Sequence, residues 1–216
     1  MPSMSTMAVY VIAATLVLIA PGPAVLYVVS QGLRHGSRAA VTAVLGVHIG
    51  TLVQVAAAVA GLSWLLVNSA TAFMVVKYAG AAYLIYLGVR TLLSRRSPEA
   101  GQDLPAPAPK GRRRLLGEGF LINLLNPKLA LFFLAFLPQF VDPAKGAPAL
   151  QITVFGLLFV LLGLCTDGAY ALLAGVIGPW LRRNVRLLRG ERYAVGGTFI
   201  GLGLFAALAP SAQRHA

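Results

Sequence analysis

The chain has 216 residues, of which 58% are hydrophobic and 11% charged, with a mean hydropathy of +0.79. A net charge of +12 would suggest a nucleic-acid partner for a soluble protein, but a chain this apolar is expected to be an integral membrane protein whose basic residues meet an anionic lipid surface. The single cysteine, Cys165, excludes an intrachain disulfide.

Apolar runs predict six membrane-spanning helices, at 7–30, 39–67, 71–93, 116–138, 149–178 and 194–210, against the roughly 20 residues (range about 17–25) that a span requires. No Lys or Arg precedes Arg34, so the first run lacks the basic region of a cleavable signal peptide and is expected to be kept as structure. Its middle carries Pro21-Gly22-Pro23. Proline suits the first position of a helix, so the backbone is expected to restart after Pro23 as a second half-helix, with its free N–H groups at mid-membrane.

The second span contains Gly46-Val47-His48-Ile49-Gly50, where two glycines four apart admit a close helix neighbour. His48 has two readings there, a hydrogen-bonded packing residue or a proton relay. In the third span Tyr83 and Tyr86 share a face, either lining a cavity or packing against glycines. The Pro-Ala-rich, charged segment from Ser94 to Arg114 reads as an extended linker.

The fourth span has Glu118 near its entrance and reaches Asn126-Pro127-Lys128 about ten residues in, roughly 15 Å deep at ~1.5 Å per residue. Asn126 suits a helix N-cap and Pro127 the first helical position, so a second interrupted helix is expected here. A lysine at that depth is costly and points to function. Asp167 is the one acidic residue of the fifth span and offers a countercharge to Lys128; Tyr170, three residues on, shares its face. The glycines of the last span, 196–203, read as packing.

Fourteen of the 18 basic residues fall in the first, third and fifth loops of this arrangement, which makes that side cytoplasmic and puts both termini outside. The expected fold is all-α, with six transmembrane helices as two inverted three-helix repeats and broken first and fourth helices. The first repeat covers 1–93, the linker 94–114 and the second repeat 115–216. Broken helices in corresponding halves point to a transport site at the midplane, worked by alternating access.

The features quoted, Pro21-Gly22-Pro23, Gly46 and Gly50, KYAGAAYLIYLG in the third span, GFLINLLNPKLALFFLAFLPQF in the fourth, and Asp167 with Tyr170, resemble the lysine-exporter (LysE/RhtB) family of bacterial amino-acid exporters. The resemblance implies export of amino acids or close derivatives, such as homoserine, its lactone, threonine, leucine or basic amino acids, driven by the proton-motive force. Arg- and Ala-rich usage fits a bacterial source and hence the inner membrane.

On this reading the substrate-binding residues are Pro21, Gly22, Pro23, Asn126, Pro127, Lys128, Asp167, Tyr170 and Tyr83. The half-helix N-termini and Lys128 would hold a carboxylate, and Asp167 would face the amino group. Asp167 and His48 are the candidates for proton coupling. The expected partners are a small-molecule substrate, protons, the lipid bilayer and a further copy of the chain in a homo-oligomer, with no nucleic acid, cofactor or metal. The alternative is a cation or metal-ion exporter, for which the spans offer only His48, Cys165 and Asp167 as ligands. An enzyme is disfavoured, since no paired carboxylates, metal-ligand motif or Ser-His constellation lies at depth.

Overall fold

A computed structural model of the chain describes residues 3–20, 22–93, 111–183, 193, 196–197, 200–201 and 203–208, and among these there are helices and turns but no strand. Pro21, the linker residues 94–110 and the basic cluster at 184–192 lie outside the described residues.

Helix α1, Met4–Ile19, is capped by Ser3, whose hydroxyl accepts from the Thr6 N–H at 3.2 Å. It stops at Ala20, and α2, Pro23–His35, restarts with Pro23 in its first turn, bent 53° from α1. Proline supplies no N–H, so it belongs where a helix has no use for one. Gly36, at φ 82°, ends α2 in a conformation that favours glycine and turns the chain into α3, Ser37–Asn68. Helix α4 follows at Ala70–Leu93.

The second interruption repeats the device with different chemistry. Helix α5, Arg112–Leu124, gives way at Leu125 and Asn126 to α6, Pro127–Leu131, and the two segments bend by 44°. The Asn126 side chain accepts from the Lys128 N–H at 3.1 Å, so the cap expected from the sequence is formed. Helix α6 then widens into a π turn, Phe132–Phe136, and tightens into a 3₁₀ turn, Leu137–Phe140. Pro138 explains the irregularity, because it has no N–H for the carbonyl four residues earlier and its ring crowds that carbonyl. After a short turn, α7 runs from Pro148 to Arg183.

Glycine decides how closely these helices cross. A Cβ on Gly46 of α3 would lie 2.3 Å from the carbonyl oxygen of Leu116, and one on Gly119 of α5 would lie 2.7 Å from that of Ala43. The α3–α5 crossing is therefore backbone against backbone. Helices α3 and α5 run the same way and α7 runs back: Gly163 of α7 meets His48, and Gly156 meets Val55 further along α3. The described residues between 196 and 203 pack on α4 through Gly88 and Gly203.

Two apolar clusters fill the interior. One is aromatic, with Tyr10, Phe132, Phe133, Phe136, Phe140, Phe155 and Phe159 all buried. The other is built from small residues, Ala24, Val28, Ala40, Ala43, Val44, Val47 and Ala171, close to the basic end of the helices. At that end Arg34, Arg38, Arg112, Arg113 and Arg114 are exposed. Helices α3 and α7 are each long and apolar enough to cross a membrane, which gives two spans among the described residues, or up to four if each bent pair is counted as one span.

Candidate functional site

The two interruptions meet. A Cβ placed on Gly22 would lie 3.2 Å from Cδ of Lys128, so the glycine gives the lysine stem room to pass. Lys128, only 9% exposed, donates its Nζ to the carbonyl oxygen of Ala20. Next to it, the Tyr170 hydroxyl donates to the carbonyl of Ile19 at 2.9 Å. The last carbonyls of a helix have no partner within it, and here two side chains from the second half of the chain supply donors for those of α1.

A cavity of about 40 Å³ lies at this junction. Gly22, Ala24 and Val25 line it from the first interruption, Asn123, Asn126, Lys128 and Leu129 from the second, Val47, His48 and Thr51 from α3, and Phe159 and Asp167 from α7. Asp167 and His48 are 4% and 5% exposed, and Nε2 of His48 stands 3.2 Å from Oδ2 of Asp167. That separation is within ion-pair range, but the ring is not aligned for a hydrogen bond. Both ring nitrogens, and Oδ1 of Asp167, are buried without a hydrogen-bond partner among the described residues. Most buried polar atoms in folded proteins have a partner, so this group calls for an explanation.

A frame of uncharged polar residues holds the second interruption. The Asn123 amide donates to the Val47 carbonyl at 2.8 Å and to the Thr51 hydroxyl at 2.7 Å. Gln54 donates to the carbonyls of Asn123 and Leu124, at 2.8 and 2.9 Å, and so adds a side-chain donor to the last turn of α5. Sequence reasoning missed Thr51, Gln54 and Asn123. Their signal was there: Thr51 and Gln54, and Asn123 and Asn126, are pairs of polar residues three apart in apolar spans, so each pair shares a face. A larger cavity of about 460 Å³ beyond Gln54 is otherwise apolar, walled by Val53, Ala57, Leu62, Leu124, Phe133 and Leu134 among others.

The expected site residues are thus partly gathered. Gly22, Asn126, Lys128, Asp167 and His48 share the cavity, whereas Tyr170 does not line it and is joined to the first interruption through its hydrogen bond to Ile19. Pro23 and Pro127 start the helices that follow the breaks; Pro21 lies outside the described residues. Tyr83 is elsewhere: it is 36% exposed on α4, its ring 5.7 Å from that of Tyr86, and it does not line the cavity. Among the described residues no three of His, Cys, Asp and Glu gather as metal ligands would, and Cys165 is exposed.

The family of LysE type translocators matches residues 15–209 of the chain. The chain belongs to this family. A LysE type translocator is a membrane transport protein and not an enzyme, which accords with a charged cavity set between interrupted helices. Relatives of the translocator include an uncharacterized membrane protein of Pseudomonas aeruginosa, 34% identical over 90% of this chain and 91% of its own. It is similar also to a homoserine/homoserine lactone efflux protein of Salmonella typhimurium, 30% identical over 96% of each chain. A leucine efflux protein of Klebsiella pneumoniae is 28% identical over 89% of this chain and 90% of its own. No solved structure matches the translocator.

Proposed function

We propose that this translocator exports amino acids or close derivatives, of the homoserine, homoserine lactone, threonine, leucine or basic amino-acid kind, across the bacterial inner membrane in exchange for protons. The observation that carries the reading is that Lys128 and Asp167 line one buried cavity where two interrupted helices meet. A free amino acid has a carboxylate and an ammonium group a few bonds apart. The lysine suits the first, together with the N–H groups at the start of α2. The unsatisfied Oδ1 of Asp167 suits the second. The efflux activities named for two relatives support the same class.

In this reading Asp167 and His48 carry the coupled proton, exchanging it against the substrate ammonium. A carboxylate in contact with an imidazole can pass a proton without a free charge being stranded at depth. The chain works as two inverted three-helix repeats, 1–93 and 115–216, joined by the linker at 94–114 and rocking about the cavity, with the basic face cytoplasmic and both termini outside. The two broken helices pair in opposite order, Tyr10 with Phe140, Ala20 with Lys128 and Tyr27 with Leu115, which supports this arrangement. A volume of about 40 Å³ has room for about three waters, whereas small-molecule sites run to roughly 300–1,000 Å³. In this reading, loading a substrate requires the walls of the cavity to part.

The test is efflux from liposomes containing the purified protein and loaded with labelled amino acids and their lactones, with and without an imposed pH gradient. Gradient-dependent release of one class is expected and names the substrate. Release of none by folded, inserted protein would overturn the reading.

A further inference from the structure

The cavity is flanked on its two sides by unlike materials. Away from the basic end lie the rings of Tyr10, Phe132, Phe140, Phe155 and Phe159, with Tyr10 in contact with Phe155 at 4.6 Å between centroids and Phe140 at 5.2 Å. The Tyr10 hydroxyl also donates to the Phe155 carbonyl at 2.9 Å, fixing α1 to α7. Parting this closure would expose aromatic surface of roughly 150–250 Å² per ring.

Toward the basic end the closure is slight. Four residues after the start of α2, Tyr27 reaches across to α5, where its hydroxyl lies 3.1 Å from the Leu115 carbonyl and 3.2 Å from Oε2 of Glu118. A single hydroxyl proton serves both acceptors, and both contacts are long. The other oxygen of Glu118 takes Nε of Arg114 at 2.9 Å, and the Glu118 side chain is 28% exposed. Behind Tyr27 stand alanines and valines rather than rings.

We infer that the Tyr27–Glu118 contact between α2 and α5 is the gate on the basic side of the cavity, and that it opens before the aromatic side does. The inference rests on the transport reading but extends it. Opening breaks one shared hydrogen bond at a partly exposed position and parts small side chains rather than rings, and the two helices it joins are the ones that follow and precede the interruptions. Glu118 does not lose its only partner when the gate opens, because Arg114, four residues away on the same helix, moves with it.

The test follows access to the cavity and needs no substrate. With Cys165→Ser as background, Val25→Cys places a thiol on the cavity wall, and the protein is reconstituted in vesicles. A membrane-impermeant thiol reagent is then applied from either side, the basic face being identified by a separate Arg38→Cys variant. Tyr27→Phe keeps the ring and removes both contacts. It should raise the rate of modification from the basic face roughly 2- to 10-fold, the population change expected for one net hydrogen bond, and leave the opposite face unchanged. Glu118→Gln, which weakens the same bond by removing its charge, should act in the same direction if Tyr27→Phe proves poorly folded. Tyr10→Phe should not raise access from the basic face. An unchanged rate in monodisperse Tyr27→Phe and Glu118→Gln, or an equal rise from both faces, would overturn the gate. Neither result would touch the transport reading, which stands or falls on efflux.

Discussion

Lys128 of the second interrupted helix donates its Nζ to the carbonyl oxygen of Ala20, the residue that ends the first half-helix. One side chain therefore holds the two breaks together while keeping its positive charge at the cavity wall.

That double role predicts a separation of effects. Lys128→Met keeps the apolar stem and removes the charge, leaving the Ala20 carbonyl without this donor. Folding should weaken by about 1–3 kcal/mol, because a buried acceptor has lost a partner, while efflux should fall about 100-fold, as hydrogen bonds to charged groups predict. Thermal unfolding in detergent and liposome efflux measure the two. Near-normal efflux in folded Lys128→Met would remove the lysine from substrate binding.

The 3.2 Å approach of His48 to Asp167 leads to a coupling prediction. Asp167→Asn is nearly the same size but cannot release a proton, so any residual efflux should no longer respond to an imposed pH gradient. His48→Gln should reduce the response while leaving gradient-independent exchange. Full gradient dependence in Asp167→Asn would exclude that carboxylate as the proton carrier.

Two glycines on α3 should respond oppositely to alanine. At Gly46 a Cβ would come within 2.3 Å of the Leu116 carbonyl oxygen, which cannot move without parting α3 from α5, so Gly46→Ala should cost about 1–3 kcal/mol. At Gly61 nothing lies within 4 Å, and Gly61→Ala should stabilise by about 0.5–1 kcal/mol through helix propensity alone. Melting temperatures of the two variants in one detergent check the contrast.

The turn between the 3₁₀ segment and α7 has its own clamp. The Gln151 side chain accepts from the Asp142 N–H at 3.0 Å and donates to the carbonyls of Asp142 and Gly146 at 2.7 and 3.0 Å. Gln151→Ala should destabilise by about 1–3 kcal/mol, since it removes three part-buried hydrogen bonds, each worth about 0.5–1.5 kcal/mol.

In the same turn Lys145, followed by the Ala144 N–H, holds the Asp142 carboxyl below its ordinary value of 3.8. A carboxyl that titrates lower when folded adds stability above its unfolded value, and that contribution is lost as pH falls through the folded one. The melting difference between the native chain and Asp142→Asn should therefore be present at pH 5 and shrink toward pH 3. A difference that does not change with pH would exclude the ion pair as its source.

Much of the site was legible because its signals are local. Proline cannot sit inside a helix, and asparagine before it is a ready cap, so the break at Asn126-Pro127 could be read without knowing any neighbour. Buried charges are equally conspicuous, which is how Lys128 and Asp167 were found. Tyr83 shows the limit. In a helix apolar on every side, spacing groups Tyr83 with Tyr86 but does not say which way that face points, and the pair turns outward.

The sequence by itself determined that this is a membrane chain with two interrupted helices and a few costly charges, since composition, proline chemistry and burial cost act residue by residue. Only the tertiary structure decided which groups meet: that Lys128 reaches Ala20, that Asp167 faces His48, and that Gln54 and Asn123 fasten the broken helix to α3. These contacts join residues dozens of positions apart, and they are selected by which glycines let two backbones close and which carbonyls a break leaves without a donor.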